Sequence, residues 1–238
     1  MKKLNKHMKD KVILSWSGGK DSAFSLYKII NESKLECVGL LTTFTKEYDR
    51  VTMHGVRRSL IEKQASLLNI PLEKVYIPKN CSIEEYGIIM RSVLIKYKEK
   101  GIKGFVFGDI FLEDVRSYRE KMLYSEGFKG YFPLWRKDTK ELVLQFIKFG
   151  FKAIVTCVDG NILGPSYVGK ELNEDFLRKL PLTVDPAGEN GEYHCFVYDG
   201  PIFNEPIPIK IGEIVKQNVQ GKTFYYCDIF LEDEYYNY

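Results

Sequence analysis

The sequence has no CxxC pair, no apolar run long enough to cross a membrane and no strong excess of either charge. Its five cysteines are an odd, widely spaced set. They give neither the paired ligands of a zinc ribbon nor a dithiol redox site. A reduced, intracellular protein fits that usage, and a cytoplasmic location is the expectation. The net charge of +3 does not by itself mark a nucleic-acid binder. No internal repeat or low-complexity segment divides the chain. The first ten residues are basic, but the apolar run after them is too short for a signal-peptide core, so they read as a frayed leader or a late start.

What is present is an ordinary globular composition, 45% hydrophobic and 28% charged over 238 residues. That length suits one large domain or two modest ones. In the first half, short apolar runs alternate with amphipathic stretches. The patterns predict strands over 11–16, 36–44, 72–77 and 104–107, and helices over 23–31, 56–68, 82–100 and 114–126. Ser82 and Glu85 have capping-box spacing, and Gly101 ends that helix. Strand–helix alternation implies βαβ units and a parallel sheet, which binds ligands at the carboxyl ends of its strands. After about Gly130 the texture changes. A helix over 139–149, a strand over 153–157 and a short helix over 172–179 precede three antiparallel strands, 193–197, 207–217 and 223–230. Asp199-Gly200-Pro201 and Gln220-Gly221 are the expected turns between those three. The fold class expected is α/β, with a parallel-sheet domain over 11–130 packed against a smaller α+β domain over 131–238.

Two stretches carry chemistry. The first is Ser15–Ser22, SWSGGKDS, between the first strand and the first helix. A glycine-rich turn of this kind exposes consecutive backbone N–H groups, and the helix after it adds its positive end. Gly18 and Gly19 permit close approach, Ser17 and Ser22 offer hydroxyls, and Lys20 supplies a point charge. Asp21 repels a phosphate but suits a magnesium ion that holds one. The turn is not a GxxxxGK(S/T) loop, because Leu14 stands at the first glycine position and Asp21 follows the lysine. The second stretch is Asp185–Phe203, DPAGENGEYHCFVYDGPIF. It crowds Glu189, Asn190 and Glu192 into a glycine-flanked loop ahead of His194. Such a loop suits an amine, ammonia or a metal, and seen alone it is more often a solvated turn.

SGGKDS after a first strand resembles the PP-loop of the ATP pyrophosphatase superfamily. Taken with GENGEYHCFVYDGP, it resembles the diphthine–ammonia ligase family. Gly108-Asp109-Ile110, Arg116 and Glu120, Val155–Asp159 and Asn161–Gly164 extend the match over about 11–205. The form of Gly108–Glu120 resembles that of bacterial relatives. The resemblance implies a Rossmann-like PP-loop domain that binds ATP and cleaves it between the α and β phosphates. It implies an acceptor carboxylate activated as an adenylate, then displacement of AMP by ammonia to give an amide. It assigns ATP and pyrophosphate to Ser15, Ser17, Gly18, Gly19, Lys20, Asp21 and Ser22, with Leu41 and Thr42 beside the adenine. Magnesium goes to Asp21, catalytic roles to Lys20, Asp21, Glu189 and Glu192, and the acceptor to His54, Gly108, Asp109, Arg116, Asn190 and His194.

The partners expected are ATP, ammonia and a carboxylate acceptor, either a modified elongation factor or a small molecule. Neither membrane nor nucleic acid is expected, and a homodimer is left open. Two rivals stand beside the ligase: a tRNA-thiolating enzyme, which needs an essential cysteine such as Cys157 or Cys195, and an ATP or AMP sensor without turnover. Arg119 reads as part of a solvated helix face.

Overall fold

The computed structural model describes residues 9–32, 34–219 and 221–233. Most of the expected leader, the last five residues of the tail and Gln220 of the expected turn lie outside the described residues.

Five parallel strands form the first sheet: β1 (Asp10–Ser15), β2 (Leu35–Thr45), β4 (Leu72–Ile77), β5 (Gly104–Val106) and β6 (Lys129–Tyr131). A two-residue strand, β3 (Arg50–Val51), runs antiparallel to the end of β2. Leu40 and Leu41 pair with both β1 and β4, so β4 takes the edge of β2 opposite β1. The parallel order is therefore β4-β2-β1-β5-β6, and β1 and β5 flank the point where the winding reverses. A ligand crevice opens at such a switch point, outside the carboxyl ends of the strands. Strands β3 and β6 are too short to show a period, and the sequence patterns miss both.

The helices of this half are α1 (Lys20–Glu32), α2 (Arg58–Leu68), α3 (Ile83–Lys98) and α4 (Glu113–Ser125). Ser82 and Glu85 form the reciprocal capping box at the start of α3. Helix α1 begins three residues earlier than its apolar period suggests, with Ala23 N–H donating to the Gly19 carbonyl at 3.1 Å. Lys20, Asp21 and Ser22 are thereby placed in its first turn.

After β6 come α5 (Thr139–Lys148), β7 (Lys152–Asp159), α6 (Glu174–Lys179), β8 (Tyr193–Asp199), β9 (Ile209–Val219) and β10 (Lys222–Leu231). Asp138 caps α5 by accepting the Glu141 N–H at 2.8 Å. The second sheet is antiparallel in the order β8-β7-β10-β9. This corrects one expectation. Asp199-Gly200-Pro201 does not close a hairpin, because β8 pairs with β7 and the chain then crosses to the opposite edge. The local turn chemistry is real, but β8 pairs edge to edge with β7, and both strands turn their buried side chains into one shared core. Of the three strands expected to form a meander, only β9 and β10 pair with each other.

One apolar core runs from β1, β2 and α1 through α5 into β7 and β8. Phe24 of α1 meets Phe146, Phe149 and Phe151 at ring-centroid distances of 6.0 to 6.3 Å. Aromatic pairs of this geometry add about 0.5–1.5 kcal/mol each beyond area burial. This core holds β8 against the turn after β1.

Candidate active site

The turn after β1 and the turn after β5 meet at the switch point. A Cβ on Gly108 would lie 2.9 Å from the backbone of Asp21, so a side chain there would push α1 off β5. Gly18 has φ +78°, and a Cβ there would fall 2.5 Å from Ile61 and 2.7 Å from Gln64. Close packing demands both glycines, and at Gly18 the backbone angle does so as well.

The cradle's side chains are mutually bonded. Gly19 N–H donates to Ser17 Oγ at 3.3 Å, the Ser17 and Ser22 hydroxyls lie 3.4 Å apart, and Ser22 Oγ donates to the Gly19 carbonyl at 2.9 Å. Lys20, 6% exposed, meets Asp21 at 2.8 Å and lies over the Tyr193 ring. Burial opposes its charge, but Asp21, Tyr193 and Cys195 outweigh burial and raise its pKa, so it stays protonated. Burial pushes Asp21 upward against the pull of Lys20, and Asp185 adds repulsion.

Glu189 reaches this crevice from the loop before β8. Its Oε1 accepts the Ile110 N–H at 2.7 Å and the Phe111 N–H at 3.4 Å, just past the end of β5. Burial raises its pKa to about 7 against the Ile110 N–H, with repulsion from Asp21 and Asp109 and attraction from Lys20. Glu192 is differently placed. It is 3% exposed, and it accepts from Asp185 N–H at 3.0 Å, Asn190 N–H at 2.9 Å and the Asn190 side-chain amide at 2.9 Å. Its carboxylate ties the loop that presents Glu189, and Asn190 is part of the same tie.

Asp109 is mostly buried, and its Oδ2 accepts no hydrogen bond among the described residues. Arg119 is the nearest cation, 3.4 Å away and stacked over the Phe107 ring. Burial raises the Asp109 pKa against Arg119, with Asp21 adding repulsion. Arg119 is therefore at the crevice and not on a solvated face. Arg116, three residues earlier, pairs with Glu120 at 2.9 Å and lies over Trp135 and Phe132, lining a separate surface pocket of about 370 Å³.

His54 and His194 come together at a ring-centroid distance of 4.4 Å. Burial, His194 and Lys20 hold His54 well below 6.5, and burial with Lys20 pushes His194 down to about 4, so both are neutral near pH 7. The loop carrying His54 is clamped to the second sheet by Arg50 and Arg57, which share Asp228. Within β2, the Leu41 carbonyl accepts the Trp16 N–H at 2.8 Å and the Thr42 hydroxyl donates to the Trp16 carbonyl at 2.6 Å. Ser15 pairs in register with Leu41. Cys157 and Cys195 lie on adjacent strands, and burial pushes their thiols up to about 12 and about 11. Among the described residues, no three His, Cys, Asp or Glu side chains gather in a metal-holding group.

Sequence reasoning missed Gln64 altogether. It is fully buried on α2, and it bonds Trp16, Gly18 and Val197. A buried polar residue on an apolar helix face was the available signal.

A glycine–lysine turn at the switch point of a parallel sheet defines an α/β protein of the class that binds ligands at the carboxyl ends of its strands. Family models for the diphthamide synthase N-terminal and C-terminal domains match residues 10–130 and 138–229. The chain belongs to the diphthamide synthase family. It is 27% identical over 237 residues to the diphthine–ammonia ligase of Schizosaccharomyces pombe, covering 90% of this chain and 38% of that one. It is 27% identical over 228 residues to the Mus musculus diphthine–ammonia ligase, covering 86% of this chain and 85% of that one. A U34-tRNA thiolase from Methanococcus maripaludis aligns in structure over 59% of this chain and 57% of its own, with a TM-score of 0.37 and 18% identity. No helix among the described residues is long and apolar enough to cross a membrane.

Proposed function

We propose that the chain is an ATP-dependent carboxylate–ammonia ligase of the diphthine–ammonia ligase type. One observation carries the reading: the Glu189 carboxylate accepts the Ile110 N–H at 2.7 Å just past β5, where Gly108 packs against Asp21 of the cradle, and it lies within electrostatic reach of Lys20. An anion-holding turn and a carboxylate tuned near neutrality are what adenylation followed by amine attack requires.

In the proposed reaction an oxygen of the acceptor carboxylate attacks the α-phosphorus of ATP. The bond to the β-phosphate breaks, and pyrophosphate leaves into the cradle of Ser17, Gly18, Gly19, Lys20 and Ser22. Lys20 balances the charge that develops there. Ammonia then attacks the acyl carbon of the mixed anhydride, AMP leaves, and Glu189 takes the proton lost by nitrogen. The sum is ATP, carboxylate and ammonia to amide, AMP, pyrophosphate and a proton. Glu192 and Asn190 hold the loop that aims Glu189, which separates two acids that the sequence left equivalent.

Ser15, at the end of β1, and Leu41 and Thr42, within β2, border the nucleotide side. His54, Gly108, Asp109 and His194 border the acceptor side, and Arg119 joins them in preference to Arg116. The nucleotide domain is 11–130 and the acceptor domain 131–238. Magnesium fits the residues present. Asp21, Asp109 and Glu189 repel one another, and Asp109 Oδ2 is buried without a hydrogen bond among the described residues. Asp21 and Asp109 would hold the ion with the phosphates supplying further ligands, and when bound it neutralises phosphate charge. The acceptor is a modified elongation factor or a small carboxylic acid.

Product analysis tests the reading. Incubation with Mg-ATP, ammonium and a protein or metabolite extract should give AMP and pyrophosphate in an extract-dependent way. ADP with phosphate would refute the site of cleavage. ATP binding without turnover would favour the sensor. Thiolation is disfavoured because Cys157 and Cys195 are buried thiols, not accessible thiolates.

A further inference from the structure

We infer that Gln64 is a positioning residue that holds the cradle open by gripping it from behind. The inference rests on the cradle being the pyrophosphate site. Gln64 is fully buried and every polar atom of its side chain is engaged. Trp16 Nε1–H donates to Oε1 at 2.8 Å. An indole N–H is only ever a donor, so it fixes which end of the amide faces it. The Nε2 hydrogens then point at the Gly18 carbonyl at 3.0 Å and the Val197 carbonyl at 2.6 Å. Val197 N–H also donates to the Gly18 carbonyl, at 2.9 Å.

The consequence follows from peptide planarity. The Gly18 carbonyl and the Gly19 N–H belong to one trans peptide and point in opposite directions. Anchoring that carbonyl on α2 and β8 turns the Gly19 N–H toward the Ser17 hydroxyl, on the face where an anion would sit. Gly18, at φ +78°, has little intrinsic preference against the flipped peptide, so the orientation needs an external hold. The same amide joins the turn after β1 to β8, linking the two halves of the chain at the site.

The test is binding of inorganic pyrophosphate by calorimetry, with melting temperature measured alongside. Gln64→Glu keeps the size and the acceptor for Trp16 but replaces both donors. It should bind pyrophosphate at least ~10-fold more weakly near pH 8 while remaining folded, since two hydrogen bonds to the loop and its partner are lost. Lowering the pH protonates the introduced carboxylate and restores one donor, so the deficit relative to wild type should shrink; Gln64→Leu should show no such recovery. Trp16→Phe, which removes the orienting N–H together with part of a buried ring, should lose affinity in the same direction. Wild-type affinity in every folded variant overturns the inference. Wild-type protein that does not bind pyrophosphate overturns the cradle reading itself, and the two failures are thereby distinct.

Discussion

Replacing Glu189 by glutamine changes one oxygen to an amide nitrogen and leaves the acceptor that Ile110 N–H meets at 2.7 Å. The loop should keep its place while the base is lost. In the wild type the pKa is raised to about 7, so the carboxylate form that accepts a proton fills in as pH rises through that value. At pH 6 about a tenth of the population is ionised, and amide formation should fall about tenfold for each further pH unit. The Glu189→Gln change should lower amide formation about 10²–10⁴-fold, the usual worth of a positioned base, and should flatten this limb of the profile. Pyrophosphate binding should be retained. The stability effect has a definite sign. A carboxyl whose folded pKa lies above its ordinary 4.5 adds stability that is full below 4.5 and lost as pH rises through about 7. The melting temperature of Glu189→Gln should therefore match wild type near pH 4.5 and exceed it increasingly up to about pH 7, with a plateau beyond. The assay is a pH series of amide product under saturating Mg-ATP, with thermal melts in the same buffers. Wild-type turnover in Glu189→Gln with an unshifted profile would refute the assignment of the base.

Lys20→Met should abolish AMP and pyrophosphate release and leave the circular dichroism spectrum intact. Loss of the buried cation should cost about 3 kcal/mol in denaturant melts, the low end for a broken buried pair because the Asp21 side chain is 33% exposed. Full activity would remove the lysine from the mechanism. Gly18→Ala should cost about 1–3 kcal/mol from overpacking against Ile61 and Gln64 and should weaken pyrophosphate binding, as calorimetry would show. The double change Cys157→Ala, Cys195→Ala should lower the melting temperature without affecting turnover; an inactive folded protein would favour thiolation.

The α/β class and the strand-to-helix glycine turn of SWSGGKDS were legible in the chain alone, because period, glycine placement and capping are local. The parallel first sheet follows from strand–helix alternation, and the capping box of Ser82 and Glu85 from spacing. Strand partners in the second half were not legible. Asp199-Gly200-Pro201 reads as a hairpin turn, yet β8 pairs edge to edge with β7 and packs with it into the common core, a choice made by long-range packing. The same limit applied to the site. Glu189 and Glu192 are two acids of one loop in sequence, and only the fold gives one of them three N–H donors from its own loop and sets the other against the backbone after β5. Arg116 and Arg119 share a helix, but the fold sets Arg119 on Asp109 and leaves Arg116 on Trp135. Gln64 offered no motif, since its role is defined by three groups that are far from it along the chain. Local chemistry is written in neighbouring residues, whereas burial and the partner of each polar atom exist only once distant segments are packed together.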